Sequence, residues 1–192
     1  MMLDDATLYR LAGLSAVVAV VALIISGIAL ALFFGGAGEF WGPVNDVFIA
    51  LTLLALILPM LAVDRLAGPS AGTWLRVVTV AAIAGAVLGA AGQLLLVAGV
   101  IDLETSFVTG GLGIVPVLVW FLALVILAFG PGTLPAAVGW LAAGTLSLIV
   151  VGSIVSAITL GPVSWVAWTA VLLVLAASIW SLGTILSGRV AA

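Results

Sequence analysis

The chain has no cysteine and no histidine, and its four cationic residues are all arginine. Without cysteine there can be no disulfide, thiolate nucleophile or Cys-held metal. Without histidine, imidazole ligation of haem, classical zinc sites and Ser-His or Cys-His dyads are excluded. Without lysine, neither a Schiff-base retinal site nor the phosphate-gripping lysine of a P-loop can form. Charge of either sign is scarce, with 4 basic and 7 acidic residues among 192. Carboxylates do acid/base work in pairs whose environments push their pKa values apart, and no ionisable group falls in the middle of an apolar run, where pumps and channels keep one. No catalytic residue, metal site or cofactor is therefore expected, and the chain reads as a non-enzyme.

What the chain has instead is apolar bulk. Hydrophobic residues make up 66% and charged residues 6%, far from the ~45–50% and ~25% of soluble domains. The charges fall at Asp4, Asp5, Arg10, Glu39, Asp46, Asp64, Arg65, Arg76, Asp102, Glu104 and Arg189, and the gaps between them are long enough to cross a bilayer. Gly130-Pro131-Gly132 and Gly161-Pro162 divide the last gap into three. The expected fold is an all-α polytopic transmembrane bundle of six helices, one domain over residues 1–192, with spans near 11–34, 44–63, 77–101, 113–129, 134–158 and 163–186. Ala29-Leu30-Ala31 has the shape of a signal cleavage site, but Asp4, Asp5 and the length of the apolar run predict a retained helix.

Alternating six spans brings Arg10, Arg65, Arg76 and Arg189 to one side and Glu39, Asp46, Asp102 and Glu104 to the other. By the positive-inside rule the arginine side is cytoplasmic, which places both termini there. The expected location is a prokaryotic inner membrane, with the lipid bilayer as first partner, another membrane protein or a second copy as a further one, and no nucleic acid. Trp41, Trp165 and Trp168 then mark the outer interface and Trp74 and Trp140 the inner one. Trp120 and Trp180 lie within spans and are expected to pack the bundle, or to line a cavity beside Pro116.

Small residues recur at four-residue spacing: Ala12/Ala16, Ala81/Gly85/Gly89, Ala82/Ala86/Ala90 and Gly139/Ala143/Ser147. Such stripes let helix backbones approach closely, and they nominate Ala12, Ala16, Gly85 and Gly89 as packing positions, with the third span central. The strongest polar side chain inside a span is Gln93. It can form a small outer ligand pocket with Asn45, Asp46 and Glu104, or serve only as an interhelical hydrogen bond, with Asn45 or Thr52 as partner. Asn45 and Asp46 also suit the start of a helix after Gly42-Pro43. The Glu104 and Asp102 carboxylates are expected in an outer loop. Gly42-Pro43-Val44-Asn45-Asp46-Val47 and Gly161-Pro162-Val163-Ser164-Trp165-Val166 hint at a parallel repeat.

The opening Tyr9-Arg10-Leu11-Ala12-Gly13-Leu14, the Gly42-Pro43 start of the second span and Pro59 near its end resemble small multi-pass membrane proteins of bacteria and archaea. That resemblance implies a membrane fold and brings no functional motif. Six spans in under 200 residues are also similar to the substrate-binding subunits of energy-coupling-factor vitamin transporters. The likeness implies that small residues of the first helix, here Ala12 and Ala16, dock a membrane partner. Two functions are thus expected: a non-enzymatic membrane protein that binds a partner or a lipophilic small molecule, or a component of small-solute transport.

Overall fold

Two of the helices begin where a short acidic side chain caps them. Asp4 accepts the backbone N–H of Thr7 at 2.8 Å, and α1 (Asp5–Phe34) follows. Asp102 accepts the N–H of Thr105 at 2.8 Å, and α5 (Leu103–Phe129) follows. In each case the cap satisfies one of the orphan donors of a first helical turn. The computed structural model describes the backbone of residues 4–158 and 162–189, and the side chains of 4–154 and 168–189. Its other helices are α2 (Trp41–Ala55), α3 (Ile57–Ala71), α4 (Thr73–Val97), α6 (Ala136–Ile158) and α7 (Pro162–Gly188).

The α2 and α3 helices form a single run, Trp41–Ala71, interrupted at Leu56. Proline explains the interruption. Pro59 has no N–H to give the carbonyl four residues earlier, which belongs to Ala55. That carbonyl instead accepts the hydroxyl of Ser15 from α1 at 2.6 Å, so the break in one helix is sealed by its neighbour. Counting this run once, six helices among the described residues are long and apolar enough to cross a membrane.

These six pack as a ring in chain order. α1 packs on α2 and α3, these on α4, then α4 on α5, α5 on α6 and α6 on α7, and α7 returns to α1. Small residues set the closest approaches. A Cβ built on Gly85 would collide with the Gly113 carbonyl and lie 3.1 Å from Pro116, and one on Gly113 would lie 2.7 Å from the Gly89 nitrogen. The seam between α1 and α7 is equally tight, since a Cβ on Gly183 would lie 2.7 Å from that of Ala16. One turn is built from a single residue: Gly72, at φ +77, joins α3 to α4 with nothing between. Only glycine adopts that angle without steric cost.

All four arginines lie at one end of the ring: near the start of α1, in the last turns of α3, in the first turn of α4 and just after α7. This arginine end also holds two ion pairs, Arg65–Asp5 at 2.8 Å and Arg76–Asp64 at 3.5 Å. Glu39, Asp102 and Glu104 mark the opposite, acidic end. The ring is filled toward the arginine end, where Met60, Leu75, Trp120, Leu124, Leu127, Ile179, Leu182 and Leu186 are fully buried and α3 reaches across to touch α7. The perimeter is apolar, with Leu14, Val21 and Ile28 of α1, Val77 and Val80 of α4 and Leu112 and Val115 of α5 exposed. A surface of this kind suits hydrocarbon rather than water.

The helices depart from the expected spans mainly at their ends. α1 starts six residues before the apolar run, and α5 begins at Leu103 rather than near Gly113. The cause is the same, because a capped polar turn continues the helix beyond its apolar stretch. Glu104 therefore sits in the first turn of α5 and not in a loop. The second span, expected at 44–63, runs on through Asp64 and Arg65 to Ala71. α4 stops at Val97, where Gly99 at φ +68 turns the chain, and α6 starts at Ala136, after Pro135. Gly161 and the side chain of Trp165 lie outside the described residues, and with them the second copy of the repeat.

Candidate functional site

The half of the ring toward the acidic end encloses a cavity of about 300 Å³, within the range of small-molecule pockets. All six membrane-length helices contribute: Leu23 from α1, Thr52 and Leu53 from α2, Gly89 and Gln93 from α4, a long face of α5, Thr145 from α6 and Leu175 from α7. Among the described residues no charged side chain lines it. The glycines on α5 explain why space is left, because Gly110 and Gly111 present no side chain where the other half of that helix presents Trp120 and Phe121.

Among the described residues four side chains bring polar atoms to the wall, and they fall into two groups. Two are already bonded. The Thr52 hydroxyl donates to the Phe48 carbonyl at 2.8 Å, and the Thr145 hydroxyl bonds to the Leu141 carbonyl at 2.9 Å and to the Ser178 hydroxyl at 3.0 Å. The other two are Gln93 and Ser106. Neither side chain has a hydrogen bond to any described residue, although Ser106 is only 3% exposed. The contacts of Gly85 with Pro116 and of Gly92 with Thr109 fix the antiparallel register of α4 and α5. That register sets Gln93 and Ser106 within about one helical turn of the same level. The Gln93 Nε2 lies 3.7 Å from where a Cβ on Gly110 would stand, so the amide reaches across to α5.

The cavity is not sealed on the α5 side. Phe107, Gly111, Ile114, Leu118 and Phe121 form one stripe down α5, on the side turned from the Gly113–Pro116 contact with α4. Of these, Phe107 is 72% and Ile114 41% exposed. Phe121 at the far end is buried, so the lining reaches the apolar perimeter at Phe107, Gly111 and Ile114.

Of the four residues expected to share an outer pocket, the structure brings only Gln93 to the cavity. Asn45 and Asp46 lie more than a turn inside α2, where Asn45 accepts the Ser26 hydroxyl at 2.7 Å and donates to Asp46 at 3.0 Å. These bonds tie α2 to α1 and give both residues a structural role. Glu104 is exposed and does not line the cavity. Gln93 itself bonds to no described side chain, Asn45 and Thr52 being bonded elsewhere. Ser106 was hidden from sequence reasoning because it was assigned to a loop. The Asp102 cap, three residues before Thr105, is the signal that moves it onto a helix. Hydrogen bonds from Thr105 hold the Asp102 carboxyl below its usual pKa, the side-chain bond first.

The packing positions are settled by contact. Gly85 and Gly89 face α5, with Leu53 of α2 also against Gly89, while Ala81 of the same expected stripe is exposed. Ala12 and Ala16 are fully buried, Ala16 against Gly183 of the chain's own last helix. They are not available to dock a partner as the transporter resemblance implied. Trp120 is a core residue, as expected. Trp180 is not: it is half exposed in a groove of about 220 Å³ along the α1–α7 seam.

A larger recess of about 580 Å³ lies at the arginine end, lined by Asp5, Asp64, Arg65 and Arg76. Its two arginines pair with its two carboxylates, and its charge is compensated from within. No family model matches the chain, and no curated protein or solved structure proved similar to it.

Proposed function

We propose that this is a non-enzymatic multi-pass membrane protein that binds a lipophilic small molecule inside its ring of helices. The observation that carries this reading is the uncharged cavity of about 300 Å³ whose α5 wall opens at the apolar perimeter. A pocket open toward hydrocarbon takes its ligand from the membrane rather than from water. Its polar groups are an amide and hydroxyls, which orient a ligand but do not shuttle protons at neutral pH.

The arrangement of charge supports a cytoplasmic arginine end and an inner-membrane location. The cavity then sits in the outer half of the bilayer. Cysteine at Gly38 or Thr105 should react with an impermeant thiol reagent added outside, and cysteine at Gly68 should not. The absence of native cysteine gives a clean background, and labelling of Gly68→Cys from outside would overturn the orientation.

Binding is tested with a neutral lipophilic dye such as Nile red, added to the protein in lipid nanodiscs and compared with empty nanodiscs. Saturable fluorescence above the lipid background is expected. Gly110→Phe and Gly111→Phe should each remove it, because a ring there fills the cavity from its α5 wall. Saturable binding that survives in both variants would place the dye elsewhere and defeat the reading.

A further inference from the structure

The wall of the cavity is graded. At its acidic end stand the two polar side chains with no partner, Gln93 and Ser106, near one level on α4 and α5. Toward the arginine end the polar atoms of Thr52 and Thr145 are already bonded within the protein, and apolar side chains such as Leu23, Leu56, Phe121 and Leu175 complete that wall. The half-buried Gln93 amide and the Ser106 hydroxyl face the cavity without a protein partner and are open to a ligand group, whereas a satisfied group offers a ligand little. Such an opening exists at one end only.

Charge narrows the choice further. Among the described residues no ionisable side chain lines the cavity, so a buried carboxylate or ammonium would go uncompensated, at a cost that normally excludes it. Glu104 and Asp102 stand at the exposed start of α5, where solvent screens their attraction. Gln93 can donate and accept, and so can Ser106. The pair therefore suits a group that accepts, such as a carbonyl, or one that does both, such as a hydroxyl.

Resting on the binding function proposed above, the geometry points to a neutral, single-headed lipophile as the occupant: one carbonyl or hydroxyl hydrogen-bonded by Gln93 and Ser106, with an uncharged hydrocarbon body extending toward Thr145 and Leu175. The ligand lies head toward the acidic end and tail toward the packed half. Free fatty acids and cationic amphiphiles of the same length are excluded by their heads, and plain alkanes gain nothing at the pair.

The test uses a set of ten-carbon probes carrying a diazirine at the tail and differing only in the head: an alcohol, a methyl ketone, a carboxylate, a trimethylammonium and no head at all. They are photolysed with the full chain in nanodiscs, and the adducts are mapped by mass spectrometry. The alcohol and ketone should label about tenfold more avidly than the headless chain, the yield of a hydrogen bond to each of two unpaired groups. Their adducts should fall near Thr145 and Leu175 and not near Gln93. Gln93→Leu and Ser106→Ala, each checked for an unchanged elution volume and helical content, should each reduce that preference severalfold while headless labelling persists. Equal labelling by alcohol and headless probes in the parent, a preference untouched in both variants, tail adducts at the level of Gln93, or selection of a charged head would each overturn the assignment while leaving the binding function standing. Absence of labelling in the cavity by every probe would overturn both.

Discussion

Between Trp120 and Gln93 the interior of the ring changes character. In the arginine half, large side chains fill the interior: Trp120, Leu124 and Leu127 of α5, with Met60, Ile179 and Leu182 from the other helices, belong to one buried core with Ala82 and Ala86 of α4. In the acidic half, Gly110 and Gly111 of α5 line the cavity without a side chain of their own, although α4 and α5 stay close there, at Gly89 with Gly113 and Gly92 with Thr109. The difference teaches that a glycine has two outcomes, close contact where it faces a neighbouring helix, as at Gly85 and Gly113, and open space where it does not, as at Gly111.

Truncation separates the halves most sharply. Trp120→Ala removes the largest buried side chain and should cost about 3–5 kcal/mol, as aromatic truncations in packed cores do. Ile149→Ala, on the cavity wall, should cost less than half as much, since one flank of that side chain already lacks contacts. Thermal unfolding of both variants in one detergent measures the ratio. Equal costs would mean that the acidic half is packed as tightly as the other.

The boundary between the halves is the next target. Gly85→Leu forces a branched side chain against the Gly113 carbonyl, where backbone cannot yield, and should cost about 1–3 kcal/mol. The same replacement at Gly111, where a Cβ meets nothing within 4 Å, should leave the thermal midpoint nearly unchanged. A similar loss at both would show that glycine acts on α5 through helix flexibility rather than space.

The smallest effect is expected where the packed half is sealed by one hydrogen bond. Ser15→Ala leaves the Ala55 carbonyl without the hydroxyl that replaces the missing Pro59 donor, at a cost of about 1 kcal/mol. Restoring the intrahelical donor with Pro59→Ala in the same chain should recover most of it, and failure to recover would show that Ser15 does not act through this carbonyl.

The number of helices was legible because charge is so sparse that three of the long gaps between charges each hold one span, and Gly130-Pro131-Gly132 and Gly161-Pro162 cut the fourth into three. Their ends were not, because Asp4 and Asp102 extend helices into polar sequence that apolar runs do not register. The stripe at Gly85 and Gly89 named a close contact correctly in kind, but spacing carries no address: Ala12 and Ala16 could face a partner or the chain itself, and only the ring shows that they face α7. The site was half legible. Gln93 stands out as an amide in an apolar run, while its companion Ser106 becomes visible only after α5 is lengthened and brought level with α4. Asn45 and Asp46 drew attention for the same reason as Gln93, and differ from it only in having found partners in Ser26 and each other.

The seam between α1 and α7 also decides whether the chamber is enclosed. Leu23 and Leu175 line it from the two helices that meet there, so parting that seam would leave an open crescent with Gln93 and Ser106 along its inner edge. Because α1 begins beside the place where α7 ends, the ring has no privileged starting point. A chain joined between its two ends and reopened in the loop from Gly130 to Pro135 would trace the same circle, and would close it at a different seam.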